Sequence, residues 1–310
     1  MSDVAAELAP FEPFLADPVA RDITHRTLAW VREHNVFEGD RLANSARLVV
    51  VASIYARLCA PAAATRRHYE VAAIFTLLFF YVDDAPASEL PELLRGGEPW
   101  SVGRLTPSLR AFLADFRERE ACSPVLRDDL DRSYHAYLSA RRAELGHKAR
   151  PLSVEEHWAF RRKTIFMDPY IDHWMILLGI DPAELDLPAF AAARRISTDI
   201  VLLSNDLGSV DRDRPGGESP DDLNLVDAYV LERGLARGET VESLIGLHNE
   251  MVDRLRAALE AAIDARRTTS AERYADLLTG ITDGNLGSLK ALKFRYTGIA
   301  ATLRRLATVA

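Results

Sequence analysis

Helix-forming residues run through this chain almost without interruption, and that texture restricts it to an all-α fold. Stretches rich in Ala, Leu, Arg and Glu cover residues 15–35, 41–60, 68–84, 106–120, 124–146 and 153–180. They continue through 188–213, 221–236, 239–266, 269–282 and 285–307, and residues of this kind lose little freedom in a helix. Strand signals are scarce. No Asn-Gly or Asp-Gly pair sits between alternating runs, and β-branched residues gather only around Leu48–Val51 and Asp199–Leu203. Ser153 is placed to open a capping box with Glu156, and Thr240 a weaker one with Ser243. Pro61, Pro86, Pro151, Pro182 and Pro215 fall between the runs, where helices stop. The longest cluster of breakers, Arg214–Pro220, reads as a flexible loop between helices. No repeat period or low-complexity linker divides the chain. The expectation is one domain over residues 1–310, a bundle of about ten helices with a flexible N-terminus at 1–15.

Composition excludes several classes of partner. A net charge of −8 argues against nucleic acid, which demands a concentrated basic surface. The most apolar segment, Val71–Val82, is too short to span a bilayer and ends in two carboxylates, so no stable membrane insertion is expected. The first residues lack the basic-then-apolar pattern of a signal peptide. Two cysteines, Cys59 and Cys122, cannot form a disulfide framework, and a reducing cytoplasm is the expected location.

Two polar features stand out against this apolar background. The run Phe75–Asp84 is an apolar helix that ends in Asp83-Asp84. Carboxylates are unfavourable at a helix C-terminus, where the dipole is negative, unless a cation offsets them; Mg²⁺, which takes oxygen ligands and keeps several waters, would do so. A solvated helix end entering the Pro86 turn explains Asp83-Asp84 alone about as well. The second feature is harder to explain away. Asn205, Ser209 and Asp213 are spaced by four and four, which lines an amide, a hydroxyl and a carboxylate along one helical face. All three present oxygen, and Arg212 beside them offers a guanidinium for a phosphate. A mixed Asn/Ser/Asp row is poor helix chemistry, and a plain surface would use Glu and Lys.

In these segments the chain resembles the class I terpene synthases. Phe80-Tyr-Val-Asp83-Asp84 resembles their aspartate-rich motif. Asn205-Asp-Leu-Gly-Ser209-Val-Asp-Arg212-Asp213 resembles their second metal motif, with Asp213 where the family has Glu. Arg161-Arg162-Lys-Thr164 is similar to the diphosphate-sensor segment, with Arg162 lying 43 residues before Asn205. Gly284-Asn285 followed by Arg295-Tyr296 resembles the closing block of the family. The third acid of the first motif is displaced, since Pro86, Ala87 and Ser88 precede Glu89.

The resemblance implies a single-domain class I terpenoid synthase-like bundle around a central apolar cavity, and a Mg²⁺-dependent cyclase. Asp83, Asn205, Ser209 and Asp213 would hold three Mg²⁺ ions, and Asp84 would pair with Arg295 on closure. Arg162, Arg212, Arg295 and Tyr296 would bind the diphosphate, with Lys163 a weaker candidate. Phe79, Phe80, Phe166, Tyr170 and Ser288 would line the pocket; Phe166 sits at the effector position, and Phe166, Tyr170 and Trp174 share a four-residue spacing. His157 and His173 are expected to serve packing or the surface. The sensor and closing blocks look most similar to bacterial diterpene cyclases. Geranylgeranyl diphosphate is therefore the expected substrate, with farnesyl diphosphate as the alternative, and Ser288 in place of an aromatic leaves more room. A homodimer is compatible with these features. A chain-elongating prenyltransferase would need a second Asp-rich motif where Asn205 and Ser209 stand. A non-catalytic helical binding protein would have no use for the intact metal row.

Overall fold

The computed structural model describes residues 4–37, 40–83, 116, 123–147, 152–213, 224–292 and 300–310. Every regular element among them is helical. In chain order these are α1 (Val4–Leu8), a 3₁₀ turn (Ala9–Phe14), α2 (Pro18–Glu33), α3 (Asp40–Leu58) and α4 (Arg66–Asp83). Then come α5 (Pro124–His147), α6 (Val154–Thr164), α7 (Met167–Leu178), a 3₁₀ turn (Pro182–Glu184) and α8 (Leu187–Asp213). The last are α9 (Leu225–Arg233), α10 (Arg237–Ala265), α11 (Thr269–Ala291) and α12 (Ala300–Leu303). The β-branched runs around residues 48–51 and 199–203 lie inside α3 and α8, where burial overrides strand propensity.

Four helices close a circuit: α3 packs on α4, α4 on α7, α7 on α11, and α11 back on α3. Helix α8 lies against α11 on one side and α10 on the other, and α6 joins α8 to α7. Helix α4 shows why it sits inside: Val71 to Leu78 and Phe80 to Val82 are all buried, as expected of a helix apolar on nearly every face. A partly buried ion pair fastens α7 to α8, with Arg194 donating to the buried Asp172 at 2.6 Å and to the exposed Asp168 at 2.9 Å.

Several local expectations hold and others change. The Ser153 hydroxyl accepts from the Glu156 N–H at 3.2 Å, and the Glu156 carboxylate accepts from the Ser153 N–H at 2.9 Å, completing the capping box. Thr240 opens no helix; it is buried within α10, which begins at Arg237 with Glu239 accepting from the Ala236 N–H at 3.2 Å. In the N-terminal segment from Val4 onward, Leu8 and Leu15 are fully buried and Arg32 pairs with Glu7. The sequence also suggests a helix break near Gly284-Asn285, yet α11 runs through both. Tertiary packing explains that: a Cβ at position 284 would lie 2.2 Å from the Leu58 carbonyl oxygen. Gly284 thus brings α11 into backbone contact with the end of α3.

Candidate active site

Asp83 is the last residue of α4, with a side chain 28% exposed. The cation that its helix-end position requires is partly supplied by the protein. Arg141 of α5 donates to the Asp83 main-chain oxygen at 3.3 Å and lies 3.8 Å from its carboxylate. A guanidinium at a helix C-terminus favours both the carbonyls and the carboxylate. Sequence reasoning missed Arg141, since nothing local to Asp83 announces a partner 58 residues away.

The second motif lies in the last turns of α8. Asn205 is half-buried and Ser209 buried. The side chains of Arg212 and Asp213 fall outside the described residues, as do Asp84, Arg295, Tyr296 and Glu89. Between the expected ligands, Asp206 points the other way and is buried. It accepts from Arg161 at 2.7 Å and from the Leu225 N–H at 2.8 Å, and His157 lies 3.5 Å away. Burial alone would raise this carboxyl, but the Arg161 guanidinium and His157 outweigh it and hold it below the usual carboxylate range. One carboxylate thereby ties α6, α8 and the start of α9 together.

Two asparagines brace the same stretch. Asn224, the N-cap of α9, donates to the Asp206 main-chain oxygen at 2.9 Å and lies 3.4 Å from the Ser209 hydroxyl. Its position before an apolar run is an N-cap signal that could have flagged it. Asn285 of α11 donates to the Ser204 hydroxyl at 2.9 Å, one residue before Asn205.

The paired arginines of the sensor segment divide. Arg161 turns to Asp206, while Arg162 forms a two-pronged pair with Asp199, at 2.6 and 3.0 Å. Its guanidinium also lies 5.4 Å from the Trp158 ring centre. Asp199 engages Nε and Nη2 of Arg162, leaving three of the five guanidinium N–H groups.

The expected pocket residues separate into two groups. Phe79 stacks on Phe166 at 4.8 Å and tilts on Phe80 at 4.8 Å. Tyr137 meets Phe166 edge-on at 4.8 Å, and Phe75 lies 5.4 Å from it. Tyr170 and Ser288, also expected to line the pocket, make their contacts elsewhere. Ser288 is fully buried, donates to the Gly284 carbonyl at 2.8 Å and lies beside Cys59 at the α3–α11 seam. Tyr170 lies close to Thr76, Trp174 and Cys59, its hydroxyl without a hydrogen-bond partner among the described residues, and burial pushes the Cys59 thiol up to about 12. The reason is backbone geometry. Phe166 has φ 65° and ψ 11°, so α6 and α7 are separate helices and four-residue spacing across the break no longer means one face. For a residue with a Cβ that left-handed conformation costs ~1–3 kcal/mol.

Both questioned histidines are buried. His173 stacks on Phe75 at 4.0 Å and faces Phe116 at 4.7 Å. Burial, reinforced by His68, lowers its pKa from 6.5 to about 3; burial likewise lowers His248 to about 4. Below pH 6.5 the unfolded chain therefore takes up protons that the folded chain refuses, so stability falls with pH. The loss at pH 4.5 is roughly 2–3 kcal/mol for each histidine. Urea midpoints are expected to drop between pH 6.5 and 4.5, with His173→Phe removing about half of that slope; an unchanged slope would refute the assignment.

Oxygen donors on α4 and α8 suit a hard divalent cation. Among the described residues no three His, Cys, Asp or Glu side chains cluster as a metal site; the described donors are one carboxylate, one amide and one hydroxyl. A short chain of contacts links them: Phe79, one turn before Asp83, stacks on Phe166, which follows Arg162 by four residues, and Arg162 pairs with α8.

Residues 75–254 match the family described as terpene synthase family 2, C-terminal metal binding. Several solved structures are similar. A linalool/nerolidol synthase from Streptomyces clavuligerus, in complex with 2-fluorogeranyl diphosphate, aligns with TM-score 0.68 and 22% identity over 86% of this chain and 96% of that one. Germacradien-4-ol synthase from Streptomyces citricolor aligns with TM-score 0.66 and 20% identity over 88% and 94%. The SVS_A2 protein from ancestral sequence reconstruction gives TM-score 0.71 and 17% identity over 94% and 88%. No curated protein matches the chain significantly by sequence.

Proposed function

The chain belongs to terpene synthase family 2, and from that premise we propose that it ionises farnesyl diphosphate and cyclises the resulting cation to a terpene hydrocarbon or alcohol. The observation that carries this reading is the braced row of α8: Asn205 and Ser209 present oxygen from a helix end held by Asn224 and Asn285. Asp83, Asn205, Ser209 and Asp213 are the residues that would hold Mg²⁺, three ions by the family resemblance. When bound, Mg²⁺ supplies Lewis-acid neutralisation of the diphosphate leaving group.

The protein's own residues do the rest. Arg162 keeps its fork on Asp199 and offers its remaining N–H donors to the diphosphate, with Arg212, Arg295 and Tyr296 as further donors. The ring faces of Phe79, Phe80 and Phe166 stabilise positive charge on the isoprenyl chain. A neutral His173 behind them adds no opposing charge.

Fifteen carbons suit this wall better than the twenty expected from the sequence. Ser288 is fully buried beside Cys59 at the α3–α11 seam, so no extra room is attributed to it, and rings occupy the level below Asp83. One of the similar structures holds a short isoprenyl diphosphate analogue. Incubation with C10, C15 and C20 diphosphates and Mg²⁺, followed by pyrophosphate assay and mass spectrometry, tests the reading. Mg²⁺-dependent release with a cyclic C15 product is expected; no release from any of the three would overturn it.

A further inference from the structure

Phe166 adopts a backbone conformation that glycine would take freely. The other non-glycine residue with positive φ among those described is Asn35, and asparagine tolerates the left-handed region through its short polar side chain; phenylalanine has no such means. The backbone therefore gives no reason for a ring at 166, so the reason lies with the ring.

We infer that Phe166 is the specificity-determining residue that limits the isoprenyl chain to about fifteen carbons, by closing the apolar path below the diphosphate end. The inference rests on the reading of the site given above. Phe166 follows Arg162 by four residues, and its stacking partner Phe79 precedes Asp83 by four. On a helix four residues span about 6 Å, so Phe79 stands one turn below the expected metal ligand and Phe166 shares its level. A chain hanging from a diphosphate between Asp83 and Arg162 runs straight into these rings. Phe166 is also the ring where the wall closes. It touches Phe79 and Phe75 of α4 on one side and Tyr137 of α5 on the other, and only 3% of its surface is exposed. Removing it opens room between Phe79 and Phe75 of α4 and Tyr137 of α5, whereas removing Phe80, which packs on Tyr55, opens room towards α3. Glycine at 166 deletes the plug and relaxes the backbone together.

The test compares wild type, Phe166→Gly and Phe166→Leu as full chains with competing C15 and C20 diphosphates in Mg²⁺. Pyrophosphate release and product mass are read for each, with thermal melts as a check on folding. Wild type is expected to prefer C15, and Phe166→Gly to shift the C20:C15 ratio of kcat/KM towards C20 by about tenfold or more, the scale on which hydrophobic pockets discriminate. Phe166→Leu should shift it by about threefold in the same direction, and that result decides the matter if the glycine variant does not fold. A ratio unchanged within a factor of about two in folded, active variants would overturn the inference and leave the proposed function standing. Wild type using C20 as well as C15 would also overturn it. A wild type inert with every diphosphate would instead refute the function.

Discussion

Gly284→Ala should destabilise the protein by about 3 kcal/mol or more, lowering the melting temperature by roughly 6 °C or more on the scale of about 2 °C per kcal/mol for a chain this long. On propensity alone the change ought to help, since alanine in a helix interior gains up to about 1 kcal/mol over glycine. Packing reverses the sign. A Cβ at 284 would lie 2.2 Å from the Leu58 oxygen, 2.4 Å from its carbonyl carbon and 2.5 Å from the Cys59 Cα. These are backbone atoms in a buried seam, so no side chain can swing aside, and relief requires moving α3 away from α11. The same helix carries its own control. At Gly287 the nearest atom to a built Cβ is the flexible end of Leu58, at 3.6 Å. Gly287→Ala should therefore be neutral or stabilising by up to about 1 kcal/mol. Chemical denaturation of the two variants side by side decides the point: equal stabilities would show that the seam yields. The variant also bears on chemistry, because Asn285 sits beside Gly284 and holds Ser204 next to Asn205. A shifted α11 should cost activity even at temperatures where the protein stays folded.

That glycine illustrates where sequence reasoning stops. The all-α class, the run of helices, the Ser153 capping box and the row Asn205–Ser209–Asp213 are properties of local spacing, and spacing survives into the structure wherever the helix is continuous. Gly284 and Phe166 fail in opposite directions for one physical reason. Gly284 looks like a helix breaker and lies inside a helix, because a neighbouring backbone needs the missing Cβ. Phe166 looks like a helix former and lies at a break, because its ring is placed among four aromatic neighbours while its backbone bears the strain. Partners distant in sequence were equally out of reach. Arg141 under Asp83 and Asp199 on Arg162 are identified by contact alone, and the nearness of Asn224 to Ser209 goes beyond its N-cap signal; each alters how an expected site residue is held. The acidic balance of the chain changes meaning in the same way. Asp199 and Asp206 do not await a cation, since they already hold Arg162 and Arg161.

Asn205→Ala should reduce turnover by roughly 10²–10³-fold, the equivalent of several kcal/mol of lost transition-state stabilisation, while leaving the fold almost untouched. Both halves of the expectation come from the geometry. Asn205 is half-buried on a helix end whose other members carry the structural bonds: Ser204 holds Asn285, and Asp206 holds Arg161 and the start of α9. Deleting the amide removes a proposed oxygen ligand without disturbing that frame, so the melting temperature should stay within a degree or two, the equivalent of about 0.5 kcal/mol. Asp206→Asn reverses the pattern. It weakens a buried ion pair with Arg161 and the contact with His157, leaving a charged partner poorly matched, at a cost of about 3 kcal/mol. Its activity loss should therefore follow its loss of folded protein. The two variants separate a residue proposed to bind the metal from one that holds the helix frame together. In Asn205→Ala the remaining activity should also require more Mg²⁺ for half-saturation, because one ligand fewer weakens the site; in Asp206→Asn the folded fraction should keep the wild-type Mg²⁺ dependence. Turnover of Asn205→Ala within about threefold of wild type, or an unchanged Mg²⁺ requirement, would remove the α8 row from the metal site and with it the ground of the proposed chemistry.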